Sequence, residues 1–216
     1  MDTLKARTIK FYLIKSFQLV VITIGLGLLL FVEGLFFGIG EADQMIESIN
    51  LGSTGLLIGI MLMPAMYAIY GPNLYDSLVL SMGARRIDIF WGNILKEVTF
   101  SVCSAIIICI FGAVIDLPNF TTLSLIVPSF GLIMSALCRL VAIKFKNVGK
   151  LAIVVVALIS GFVGATVGYT FEQNTLVDVF SNMNVGLFVV LGIIGVVAYA
   201  IVERLIFGSI MKLSVN

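Results

Sequence analysis

The stretch VTFSVCSAIIICIFGAVI runs from Val98 to Ile115 without a charge or a proline. As an α-helix it would rise about 1.5 Å per residue and come to about 27 Å, close to the ~30 Å apolar core of a bilayer. Its residues do not alternate between apolar and polar as a barrel strand's would. A helix also satisfies its own backbone in lipid, where an open strand cannot. The stretch is bounded by Lys96 and Glu97 on one side and by Asp116 and Pro118 on the other. Working outward, charges are also absent from Ser48 to Tyr75, from Leu117 to Cys138, from Leu151 to Phe171 and from Val179 to Val202. Together with the first apolar run these stretches predict six transmembrane helices, over 17–38, 53–71, 98–116, 122–143, 151–170 and 184–207.

The composition agrees with that reading. Hydrophobic residues make up 60% and charged residues 12%, against about 45–50% and about 25% in soluble domains. Mean hydropathy is +1.17. The expected fold is therefore an all-α membrane protein, with the whole chain 1–216 as one transmembrane domain. The charges supply an orientation. All 13 Lys and Arg residues fall in the leader, between the second and third spans, at the end of the fourth span and in the loop after it, or at the end of the sixth span and in the tail. The other three loops carry Glu41, Asp43, Glu47, Asp116, Glu172 and Asp178 and no basic residue. Under the positive-inside rule both termini face the cytoplasm, which places the chain in a cell membrane, a bacterial cytoplasmic membrane being expected.

Several features inside this frame are candidates for packing or binding. Residues 1–16 hold Lys5, Arg7, Lys10 and Lys15 among Leu4, Ile9, Phe11, Tyr12 and Leu13, the pattern of a basic amphipathic leader on the inner leaflet. Ser160, Gly164 and Gly168, and Gly34 with Gly38, are spaced four apart, as where helices approach closely. Pro64 and Pro128 each remove a backbone donor from a predicted span. Glu33 is read as the one charge within a span. Either it faces a cavity and meets a cationic group, or it lies near the outer interface and snorkels. Met63, Met66 and Tyr67 stand with Met61 and Tyr70 around Pro64. They are candidates for an adaptable apolar path or for ordinary packing.

Catalysis finds no footing. There is no histidine, and Cys103, Cys109 and Cys138 all lie in apolar runs with neither metal-ligand spacing nor a disulfide framework. No G-x-x-x-x-G-K-[ST] phosphate loop occurs, and no G-x-S-x-G or H-E-x-x-H motif. Neither an enzyme, a metal site nor a nucleic-acid partner is expected.

The segment between the second and third spans is the most informative one. Pro72 and Asn73 suit a helix start. Leu74, Leu78 and Val79 then make an apolar stripe, Gly83 suits a helix stop, and Arg85 and Arg86 follow as a basic turn. Phe90 and Trp91 read as interfacial anchors. The run Ser81-Met82-Gly83-Ala84-Arg85-Arg86-Ile87-Asp88-Ile89-Phe90 resembles the segment between helices 2 and 3 of ABC-transporter permeases. The group concerned is the six-helix ABCG-like (type V) one, which includes bacterial antibiotic and peptide exporters and immunity permeases. Ala84 stands where Ser is common in that family. The resemblance implies that residues 73–84 form a coupling helix, with Leu74, Tyr75, Asp76, Leu78, Gly83, Arg85 and Arg86 meeting a separate ATPase. It further implies two ATPase copies, which bind the ATP, and a second permease copy, identical or not. The cargo would be an amphipathic peptide, lipid-like molecule or drug. A non-transporting immunity or scaffold protein and a secondary transporter are the alternatives.

Overall fold

The computed structural model describes residues 2–37, 42–114, 120–144 and 185–212, and every secondary-structure element in them is helical. We number the elements α1 (Asp2–Phe37), α2 (Ala42–Tyr70), α3 (Asp76–Ser81), α4 (Arg86–Val114), α5 (Phe120–Lys144) and α6 (Val185–Lys212). The fifth predicted span and the Ser160–Gly164–Gly168 stripe lie outside the described residues. Among the described residues four stretches are long and apolar enough to cross a bilayer: Leu4–Glu33, Arg86–Val114, Leu123–Ile143 and Gly192–Ile210. Gly55–Tyr70 is a shorter apolar stretch on α2.

Two boundaries differ from the sequence expectation. The leader is not a separate piece: α1 is unbroken from Asp2, and Tyr12 and Ser16 are buried in the bundle. The third long helix starts at Arg86, so residues 86–97 are helix and not loop. In both places the apolar run had been cut where charges begin, yet the charged turns continue the same helix. A third difference lies at Pro72. No new helix starts there; α2 passes into a π-helical turn, Gly71–Tyr75, and that turn passes directly into α3. Pro72 has no N–H to give to the helix ladder. The wider turn absorbs the gap, and the N–H of Asp76 bonds to the Gly71 carbonyl.

Helices α1, α2, α5 and α4 pack as a closed ring, each on the next, and α6 packs on α5. Leu19, Val20, Leu56, Leu57, Ile60, Phe100, Ile108, Leu123 and Val127 fill the ring. A second cluster, Phe90, Ala136, Tyr199 and Ile206, joins α6 to α4 and α5. Gly195 lies against Ser129 and Ile133, and Glu203 against Arg139, so α5 and α6 run parallel. Tyr12 lies against Gly92 and Phe90 against Phe207, which puts the start of α1 and the end of α6 at one end of the bundle, beside α3. Outward positions such as Val21, Leu29, Val102, Ile110, Leu125, Ile193 and Leu205 are exposed apolar side chains. In lipid such an exterior costs nothing, and burying more Leu or Val gains little. Close contact and polar pairing must then hold the helices together. Four hydroxyls within the helices are self-satisfied: Thr8, Thr23, Ser129 and Ser209 donate to the carbonyl four residues back.

Helices α1 and α4 approach closely at Gly92. A Cβ there would come within 2.7 Å of Tyr12 Cε2. The Tyr12 ring is only 1% exposed and its hydroxyl is tethered, so it cannot swing away. Gly92→Ala is expected to cost about 1–3 kcal/mol through overpacking. A lowered thermal midpoint of the detergent-purified protein would show it. Gly208→Ala, whose Cβ would meet nothing within 4 Å, is the matched control and should leave the midpoint unchanged.

Candidate functional site

The α3 end of the bundle carries two linked features, an exposed turn and a buried layer of charges. The turn is built by Gly83, whose φ of +87° is open to glycine at little cost. The Gly83 N–H bonds to Leu80 and the Ala84 N–H to Val79, closing α3 with a Schellman pair. Arg85 Nε then reaches Asp88 Oδ2 at 3.1 Å across the first turn of α4. Val79 and Ala84 pack inward on Tyr12 and Ile89, while Leu78, Leu80, Met82, Arg85, Arg86 and Ile87 face outward. Of the two expected anchors only Trp91 is exposed. Phe90 is buried and packs edge-on against Phe207, because on a helix the two side chains point about 100° apart.

Asp76 ties this turn to the bundle. The Tyr12 hydroxyl donates to Asp76 Oδ1 at 2.5 Å, and Asn93 Nδ2 donates to the same oxygen at 3.1 Å. Tyr75 stacks on Tyr67 with centroids 4.8 Å apart, and Lys15 Nζ sits 5.0 Å from the Tyr75 ring. Lys96 Nζ donates to Asn93 Oδ1 at 2.9 Å and lies 4.7 Å from the Tyr67 centroid. Ser16 Oγ donates to the Lys96 carbonyl at 3.0 Å. The Tyr67 hydroxyl is buried without a well-formed partner.

Lys96 and Glu97 are consecutive, so they leave α4 on different sides. Lys96 faces α1 and α2. Glu97 faces α5 and α6: Ser135 Oγ donates to Oε1 at 2.8 Å and Tyr199 Oη to Oε2 at 2.9 Å. Arg139 lies between two acids, with Nη1 3.6 Å from Glu97 Oε1 and Nη2 bonded to Glu203 Oε1. Lys96, Glu97, Arg139 and Glu203 are all 5% exposed or less. This corrects the expectation that Glu33 is the sole charge within a span. Lys96 reads in the sequence as a loop charge that sets orientation and Arg139 as an orientation charge at the end of the fourth span, while Glu203 falls inside the predicted span 184–207 without standing out as an interior charge. For two of the four a partial signal lies in the sequence, though it does not name their partners. Arg139 and Glu203 have apolar residues on both sides, Leu140–Ile143 and Leu205–Phe207 continuing the helix beyond each charge.

The path candidates scatter. Glu33 is exposed and Met66 is 43% exposed, whereas Met63 and Tyr67 are half-buried against the core. The structure does not bring Glu33 together with the other three. Tyr67, Tyr75, Asp76, Arg85 and Arg86 do share the α3 end. The side chain of Leu74 lies outside what is described.

Four apolar helices of spanning length, enclosing a layer of paired charges, point to a membrane protein of the all-helical class. No family model, no curated protein and no solved structure matches the chain.

Proposed function

We propose that the chain is the membrane subunit of an ATP-driven transporter, energised by a separate ATPase that docks on the α3 turn. The observation that carries this reading is the two-sided turn. Leu78, Leu80, Met82, Arg85 and Arg86 are presented outward, while Asp76 and Val79 fasten the same turn to α1 and α4. A partner pushing on such a turn moves helices and not only a loop. The basic pair and apolar flank suit a protein groove with acidic rims. In this reading the chain has six spans with both termini in the cytoplasm. The parallel course of α5 and α6 supports it, since their connection, which carries the fifth apolar run, must lead from one end of the bundle to the other. Two permease copies and two ATPases form the complex, and the cargo is an amphipathic peptide, lipid-like molecule or drug. The chain itself hydrolyses nothing.

The test is ATP hydrolysis by the complex purified through this chain from its native membranes. Arg85→Glu with Arg86→Glu is expected to cut the co-purified ATPase activity about tenfold or more, equivalent to about 1.4 kcal/mol of docking energy. Undiminished ATPase in that variant would refute the reading. The buried Lys96, Glu97, Arg139 and Glu203 favour a second reading, an ion-coupled transporter that needs no ATPase. Substrate uptake into vesicles under a proton gradient without ATP separates the two.

A further inference from the structure

The two acids flanking Arg139 are not equally satisfied. Both oxygens of Glu97 are partnered, Oε1 by the Ser135 hydroxyl and Arg139 and Oε2 by the Tyr199 hydroxyl. Glu203, 5% exposed, has one partnered oxygen, Oε1 on Arg139 Nη2. Its Oε2 is buried and has no hydrogen-bond partner among the described residues, and Arg139 Nε has none either. The charged and titratable groups around Glu203 among the described residues are Arg139 from α5, Glu97 from α4 and Tyr199 one turn back on α6. The Tyr199 hydroxyl is committed to Glu97. Lys96, also on α4, is turned to the far side and committed to Asn93 and the Tyr67 ring.

With both acids ionised, the triad carries one positive and two negative charges, and the surplus rests on a bare oxygen. Leaving a buried charge unpaired costs several kcal/mol. We propose that Glu203 is a proton-binding site: a proton from solvent adds to Oε2, and the triad passes from a net charge of −1 to zero while Arg139 stays on Glu97. A metal cation is disfavoured at the same place. It would need several oxygens at once, the oxygens of Glu97 are already taken, and the Arg139 guanidinium lies alongside. The site stands under either transport reading, since it concerns only what the triad binds.

Infrared titration of the intact purified protein, with carbon-13 glutamate to separate glutamate from aspartate bands, tests the assignment. On acidification the wild type is expected to gain a glutamic-acid C=O band that Glu203→Gln lacks. Glu97→Gln leaves Arg139 to Glu203 alone, so the band should persist and appear only at lower pH. Retention of the wild-type band in Glu203→Gln, or its loss in Glu97→Gln, would overturn the proposal. If Glu203→Gln is not recovered folded, the Glu97→Gln titration decides, and an unmoved midpoint there counts against the site.

Discussion

Arg139→Met is expected to remove most of the folded protein recovered from membranes. Methionine fills much of the arginine volume, so the change is chiefly electrostatic. It withdraws the only cation between Glu97 and Glu203 among the described residues, both acids being buried. Breaking one side of a buried ionic group costs about 3–5 kcal/mol, a large fraction of a typical domain's whole stability. Arg139→Lys should fall between, because an ammonium is a point charge and cannot hold two carboxyl groups in a planar fork. The decisive variant combines Arg139→Met with Glu97→Gln and Glu203→Gln. Neutralising all three removes the uncompensated charge and should restore recovery close to wild type. Size-exclusion profiles and thermal midpoints after detergent extraction would read these changes. A single Arg139→Met variant as stable as wild type would mean that the triad contributes nothing to holding α4, α5 and α6 together.

Asp76→Ala is expected to free the α3 turn without unfolding the bundle. The substitution strands the Tyr12 hydroxyl and the Asn93 amide, which both donate to that carboxylate. A stranded buried polar group costs about 1–3 kcal/mol. Because those donors belong to α1 and α4, the loss falls on the contact between turn and bundle. Arg85 and Arg86 are exposed, so trypsin reports the opening directly. Cleavage there should quicken about tenfold for each 1.4 kcal/mol lost. Tyr12→Phe, which removes a single donor, should have a smaller effect. Equal cleavage rates in wild type and Asp76→Ala would show that Val79 and Ala84 packing alone secures the turn.

The helical membrane class and the placement of a short helix and basic turn between the second and third long helices were legible in the sequence. The Val98–Ile115 run has one low-energy arrangement in lipid, and Gly83 is a local stop whose cause is its own backbone. The reach of the helices was not legible. Hydropathy starts the first and third spans only after the charges at Lys15 and Glu97, whereas the backbone ladder continues wherever a charge finds a partner. Lys96 and Arg139 looked like orientation charges because a linear sequence does not show that Asn93, Glu97 and Glu203 wait at the right heights on the same and neighbouring helices. Asp76 likewise looked like one residue of a docking stripe, and its contacts turn it into the fastening of that stripe to α1 and α4. Local patterning set which segments are helical, since backbone satisfaction and solvent preference act residue by residue. Only the tertiary structure decided which charges are interior, since pairing depends on groups from different helices meeting within a few ångströms, and no local signal encodes that distance.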